Sequence, residues 1–309
     1  MAHLDSPANC GMAPYGKPWC SYSDQVAKLV SRGVVVADQS AAEQFLSHVN
    51  YYRFSGYCAA FEKGKHQFID GVSFEQVRAA YDFDVVLRDI VTEALEVVEV
   101  DFRTNVAYHF GQHRGAFGHV DPANFFRGFR HADWIARLCE EASRSSEQFV
   151  THFKGKYSEF PDLPVWMVTE VMSFGGLSQM YSGMVKPDQK AVATRYGIQP
   201  QDLQSWMHHL VYVRNLCAHH SRLWDRIWAI KPRLPAGKAW LPPSLVSNER
   251  LFATLLILSH LVRRCPAVGG FAAEWRDRVV RHLASPPSAP KAEERMAMPV
   301  GWRGNAAWH

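Results

Sequence analysis

The stretch Arg214-Asn215-Leu216-Cys217-Ala218-His219-His220 gathers a guanidinium, an amide and two imidazoles in one short run. Those groups suit chemistry on a phosphodiester. Cleaving RNA through its own 2′-hydroxyl needs proton transfer and stabilisation of an oxyanion-rich phosphorane, and it calls for no metal and no other cofactor. Histidine exchanges protons near neutral pH, and the planar fork of arginine matches two phosphate oxygens at once. On this reading Arg214, Asn215 and His219 are the candidate catalytic residues, Asn215 orienting the imidazole or bonding a phosphate oxygen.

A helix from Gln201 to about Trp228 would carry these groups. His208, Tyr212, Asn215, His219, Arg222 and Arg226 then fall on one continuous face, while Trp206, Leu210, Val213, Cys217 and Trp224 form an apolar neighbour that anchors the helix. A face mixing imidazoles, amide and guanidiniums suits an anion, so His208, Tyr212, His220, Arg222 and Arg226 are expected to support RNA binding. Arg214 is displaced by about 140° from His219 on a regular helix. Two helices related by a two-fold axis can still pool both groups, which predicts a homodimer with a composite site. Arg and His recur at similar separation elsewhere, as in Arg103/His109 and Arg276/His282, so the adjacent Asn, the preceding Val211 and Val213 and the cationic face are what set Arg214 apart.

The positioning elements read as helices throughout. Ser23–Arg32 is a short helix stopped by Gly33, Val34–Val36 a short extended piece, and Ser40–Val49 a second helix opened by a Ser40/Glu43 capping box. Next comes Asn50 to Tyr57, where Tyr51, Tyr52 and Arg53 offer stacking and charge to single-stranded RNA. Ser73 to about Phe110 holds no Gly or Pro and keeps apolar residues at helical intervals, predicting one long helix. Asp84/Arg88 and Glu99/Arg103 on it read as solvated i, i+4 pairs, with Arg88, Glu99 and Arg103 also candidates for a polar site. Further helices are expected over Ala132–His152, Pro164–Met184, Val246–Arg264 and Gly270–Leu283. The fold class is all-α. Four segments are expected: an N-terminal helical and aromatic subdomain (1–70), a helical core (71–230), a C-terminal helical extension (231–284) and a tail (285–309).

With 309 residues, 47% hydrophobic content and a formal charge of +4, the chain can bury a large core, and any nucleic-acid contact must come from local clustering. Six cysteines without a C-x-x-C pair fit a reduced, cytoplasmic setting. The longest apolar run, Leu251 to Val262, falls short of the roughly 20 residues of a membrane span, so no membrane partner is expected. Cys217, His219 and His220 are close in sequence, but Cys217 and His219 point to different sides of a helix, which disfavours a metal site. Cys217 as nucleophile is disfavoured by its apolar face. A non-catalytic module whose cationic face grips a folded RNA is the second reading.

Several blocks together carry a resemblance. KPWCSYSDQVAKLVSRGVVVAD near the start, NYYRFSGY at 50–57, FEQVRAAYDFDVVLRDIVTEALEVVEVDFR at 74–103, LPVWMVTEVMSFGGLSQMY at 163–181, SWMHHLVYVRNLCAHHSRLWDR at 205–226 and MPVGWRGNAAW at the end resemble the Abi-like family of abortive-infection proteins, of the AbiD/AbiF type, within the HEPN superfamily. The resemblance implies a HEPN helical bundle whose R-N-x-x-x-H motif is Arg214, Asn215 and His219. It also implies metal-free RNA cleavage leaving cyclic-phosphate ends, dimeric action, and a toxin's role in phage defence. A small regulatory RNA is a further implied partner.

Overall fold

The computed structural model describes residues 14–265 and 269–308. The chain divides into two compact units, 1–78 and 79–309, where the sequence suggested a first boundary after residue 70. Residues 1–16, whose Gly, Pro and Asn without periodicity suggest a loose leader, lie largely outside the described residues.

In the first unit, α1 (Tyr22–Ser31), α2 (Gln39–His48) and α3 (Tyr51–Cys58) precede a small antiparallel hairpin of β1 (Glu62–Gly64) and β2 (Gln67–Phe68). A capping box starts α1, Ser21 and Asp24 each accepting from the other's backbone N–H. The cap of α2 is Asp38, whose carboxylate accepts from Ala41 N at 2.9 Å, so the expected Ser40/Glu43 box is not used. Val35 is extended, as expected, and bridges to Ser73. Phe45, Phe54 and Phe74 meet with ring centroids 4.8–5.7 Å apart and close the small core.

α4 (Phe74–Arg114) is a single helix of 41 residues, about 60 Å long. The second unit continues with α5 (His131–Arg144), α6 (Gln148–Lys156), α7 (Val165–Val171), α8 (Phe174–Gly183), α9 (Lys186–Tyr196), α10 (Pro200–Ala218), α11 (Leu251–Val262), α12 (Phe271–Leu283) and α13 (Ala292–Arg295). The segments expected as single helices over 132–152 and 164–184 are each broken. Ser145 turns extended after α5, and Ser173 caps α8 by accepting from Gly176 N.

The pattern gave no sign of α9 because its buried face is partly polar, Asp188 and Gln189 preceding Val192, Ala193 and Tyr196. Asp188 and Gln189 are buried there. Asp188 is matched by His113 and Arg114 of α4, both at 2.9 Å, and the Gln189 amide donates to the carbonyls of Tyr181 and Ser182. Further along, Asp101 of α4 accepts from Arg195 at 2.6 Å and from the Tyr196 hydroxyl at 2.8 Å. Buried carboxylates satisfied in this way cost far less than unpaired ones, and they fix how one helix slides along the other.

α11 is buried almost all round, as its composition demands. Its cover includes the segment expected to be a tail. Trp302 and Trp308 are buried, the Trp308 ring lies 5.7 Å from Phe252, and Arg263 donates to Ala307 O at 2.9 Å. The segment 285–308 therefore contributes Met296, Trp302 and Trp308 to the core, the indoles outweighing the Pro- and Ala-rich composition around them. No helix among the described residues is long and apolar enough to cross a membrane.

His119, His209 and His260 are each pushed down to about 4, in every case chiefly by burial. His209 is fully satisfied as a neutral ring: Nδ1 donates to the carbonyl of Ile230 at 2.6 Å, so Nε2 accepts from the Thr254 hydroxyl at 2.9 Å. Between about pH 6.5 and pH 4 the unfolded chain takes up protons that these folded imidazoles refuse, so stability falls as pH falls, by up to about 1.4 kcal/mol per pH unit per histidine. Urea unfolding across that window should show the midpoint dropping with acid, and a His209→Gln chain should drop less steeply. A flat midpoint would contradict the assignment.

Candidate active site

Helix α10 packs through Leu203, Trp206, Met207, His209, Leu210, Val213 and Cys217, all buried, and leaves His208, Asn215, Ala218 and His219 exposed. The polar stripe thus exists as far as His219. It stops there because the helix ends at Ala218, ten residues before the expected terminus. Ser221 N donates to Leu216 O at 2.8 Å and His220 N to Cys217 O at 2.9 Å, the paired bonds of a Schellman cap, with His219 as C-cap. His220 occupies the left-handed position, at φ 51°, that usually falls to glycine.

The reason for the early stop lies on α4. Asp84 is 0% exposed, and its carboxylate accepts from Leu223 N at 3.0 Å and Trp224 N at 2.8 Å. Arg88, one turn on, donates to the same carboxylate at 2.6 Å. This pulls the chain across α4 and buries Leu223 and Trp224, which a continued helix would have carried elsewhere. The Asp84/Arg88 pair is a buried tie and not a solvated pair, and Arg88 is withdrawn from the candidate RNA-binding residues because its guanidinium is spent inside the protein.

Arg222 and Arg226 are likewise removed from the helical face. Both lie in the loop after the cap, where Arg226 Nε donates to Arg222 O at 2.6 Å. Asp225, itself at φ 52°, is the centre of this loop: Arg222 approaches it at 3.9 Å, Arg250 at 3.1 Å and Arg295 at 3.0 Å. Three guanidiniums thus converge on one carboxylate. Tyr212 is half-buried, its ring edge-on to Trp228 at 6.2 Å and its hydroxyl 3.5 Å from Ala229 N. His208 sits farther up α10 in a polar recess of about 490 Å³ with Gln204, Ser205, Arg233 and residues of α8.

Around Arg214 the structure gathers what the sequence left apart. Arg214 Nη1 donates to Asn215 Oδ1 at 3.2 Å, and its Nε lies 3.8 Å from Glu99 of α4. The other Glu99 oxygen pairs with Arg103, which also donates to the carbonyls of Thr169 and Met172 where α7 ends. Arg103 is thus an anchor that holds Glu99, and Glu99 aims Arg214. The i, i+4 spacing of Glu99 and Arg103 was visible in the sequence; its half-buried setting beside α10 was not. Cys217 is buried and its thiol pushed up to about 11, chiefly by burial, so it stays protonated at neutral pH. Among the described residues no group of three His, Cys, Asp or Glu side chains is placed to hold a metal ion. Tyr51, Tyr52 and Arg53 belong to the first unit, on α3.

A family model described as Abi-like protein matches residues 44–225. The chain belongs to the Abi-like family. The matched region takes in Glu99, Arg103, Arg214, Asn215 and His219 and ends at Asp225, so the helices α11 to α13 of this Abi-like protein lie beyond it. No curated protein and no solved structure matches the chain.

Two substitutions test the cap. Asp84→Ala strands a buried guanidinium and two backbone N–H groups, and it should lower the unfolding free energy by about 3–5 kcal/mol. His220→Gly relieves a left-handed residue and should leave stability unchanged or raise it by no more than about 1 kcal/mol. Urea unfolding reads both; a large loss in the glycine variant would mean that the His220 side chain, not the backbone, makes the cap.

Proposed function

We propose that this Abi-like protein is a metal-independent endoribonuclease of the HEPN superfamily, AbiD/AbiF type, acting as a homodimer in abortive-infection defence. The observation that carries the reading is the chain of contacts Arg103–Glu99–Arg214–Asn215, which ends beside an exposed histidine at the C-cap of α10.

The chemistry follows from those groups. One His219 takes the proton from the ribose 2′-hydroxyl, whose oxygen attacks the neighbouring phosphorus. The bond to the 5′-oxygen breaks, that oxygen receives a proton from the His219 of the second protomer, and a cyclic phosphate remains. Arg214, steered by Glu99 and Asn215, offers N–H donors to the phosphorane oxygens as negative charge builds on them. A single chain supplies one imidazole at this position, and a two-fold pair supplies both. The arginines around Asp225 offer phosphate contacts for the strand leading into the site.

That same arginine cluster favours a second reading, a non-catalytic protein that holds a structured small RNA, because phosphate binding there needs no histidine. RNA incubated with protein in EDTA separates the two. Arg214→Ala and His219→Ala are each expected to lose at least about 100-fold in cleavage rate while retaining RNA affinity. An excess of His219→Ala chains should poison the wild type by forming mixed dimers. A strict requirement for divalent metal sinks the mechanism, and wild-type protein that binds RNA but never cuts it favours the second reading.

A further inference from the structure

The first unit holds a cleft of about 970 Å³, built from the segment before α1 together with α1, the end of α2 and the start of α3. Among the described residues its lining is unusual in composition: five tyrosine and tryptophan rings, two lysines and His48, with no carboxylate. The rings are not packed away. Trp19 is 87% exposed, Tyr15 76%, Tyr52 68% and Tyr22 48%. An exposed aromatic surface of this kind marks a binding surface.

The walls are fixed before any ligand arrives. Asn50 caps α3 by accepting from Tyr52 N at 2.8 Å. Arg32 donates to the Tyr51 hydroxyl at 3.2 Å, and Lys28 stands 5.8 Å from the centroid of the Tyr51 ring. Tyr52 then packs edge-on against Tyr51, with centroids 6.1 Å apart and planes at 84°. Across the cleft Trp19 precedes the capping box of α1, in which Asp24 is turned inward onto Ser21 N and Oγ at 3.0 and 2.6 Å. The nearby Asp24 carboxylate is held on its own helix cap and is not among the residues lining the cleft, where Lys17 and Lys28 supply the positive charge.

We propose that this cleft binds unpaired nucleotides of a single-stranded nucleic acid, with bases stacking on Trp19 and Tyr52 and phosphates meeting Lys17 and Lys28. Exposed ring faces beside cations are what a strand of bases and phosphates requires. A proline-rich peptide also docks on aromatic grooves, but it gives the two lysines no partner. The volume lies at the upper end of the range of about 300–1,000 Å³ for small-ligand pockets, which suits a run of nucleotides better than a single base. Arg53 is exposed on the same helix but does not line the cleft.

The test uses the full chain in an Arg214→Ala/His219→Ala background, so that it reads binding whether or not the protein cleaves RNA. Anisotropy of a short fluorescein-labelled oligouridylate is the probe. Trp19→Ala and Tyr52→Ala should each weaken binding about tenfold, with Trp19→Phe close to the parent, since stacking accounts for most of the affinity at such platforms. Lys17→Ala/Lys28→Ala should lower the slope of log affinity against log salt by about 1.4. All four residues stand at the surface, and matching circular dichroism melts establish that the variants fold. An abasic oligomer of equal length should bind far more weakly. Equal binding of the abasic oligomer, unchanged affinity in both ring variants, tighter binding of a proline-rich peptide, or competition by uridine monophosphate at the oligomer's own concentration would each overturn the proposal.

Discussion

One buried carboxylate governs the part of the molecule where chemistry is expected. Asp84 has no solvent to satisfy it, so its oxygens must find donors within the protein, and they find Arg88 and the backbone N–H groups of Leu223 and Trp224. Two of those donors come from a segment that the sequence pattern would have continued as helix. Satisfying Asp84 therefore requires the chain to leave the helix, and the Schellman cap at His219–His220 is where it does so. The exposed position of His219, the burial of Leu223 and Trp224 and the displacement of Arg222 and Arg226 all follow from that turn.

The same principle recurs through the second unit. Asp101 and Asp188 tie α9 to α4, and Asp225 gathers Arg222, Arg250 and Arg295 from three separate stretches of chain. Hydrophobic burial supplies most of the driving force but is non-directional. Buried ionic groups are more exacting, since each displaced partner leaves a charge unpaired in low dielectric. They select one register among the many that an apolar face allows. Apart from the Asp225 cluster, these ties converge on α4, whose uninterrupted length lets one helix carry Asp84, Glu99, Asp101 and the partners of Asp188.

Around Arg214 the arrangement is a graded one. Arg103 is held by two carbonyls and Glu99, Glu99 in turn faces Arg214, and Arg214 reaches Asn215 at the surface. The contacts thus run from the interior out to a half-buried guanidinium. The two histidines differ in backbone conformation, His219 closing the helix and His220 taking the left-handed turn, and both are exposed.

By itself the sequence determined the helical class, the long α4, the buried α11, the apolar side of α10 and the run from Arg214 to His219, because each is written in local periodicity or in adjacent residue types. It could not determine where α10 ends, that 285–308 contributes to the core, that α9 exists, or that Arg88 is internal while Glu99 faces Arg214. Those outcomes depend on which distant donor meets which buried acceptor. An i, i+4 pair such as Asp84/Arg88 reads the same whether water or Leu223 lies beyond it, and only the packing of α4 against the loop after α10 makes that choice.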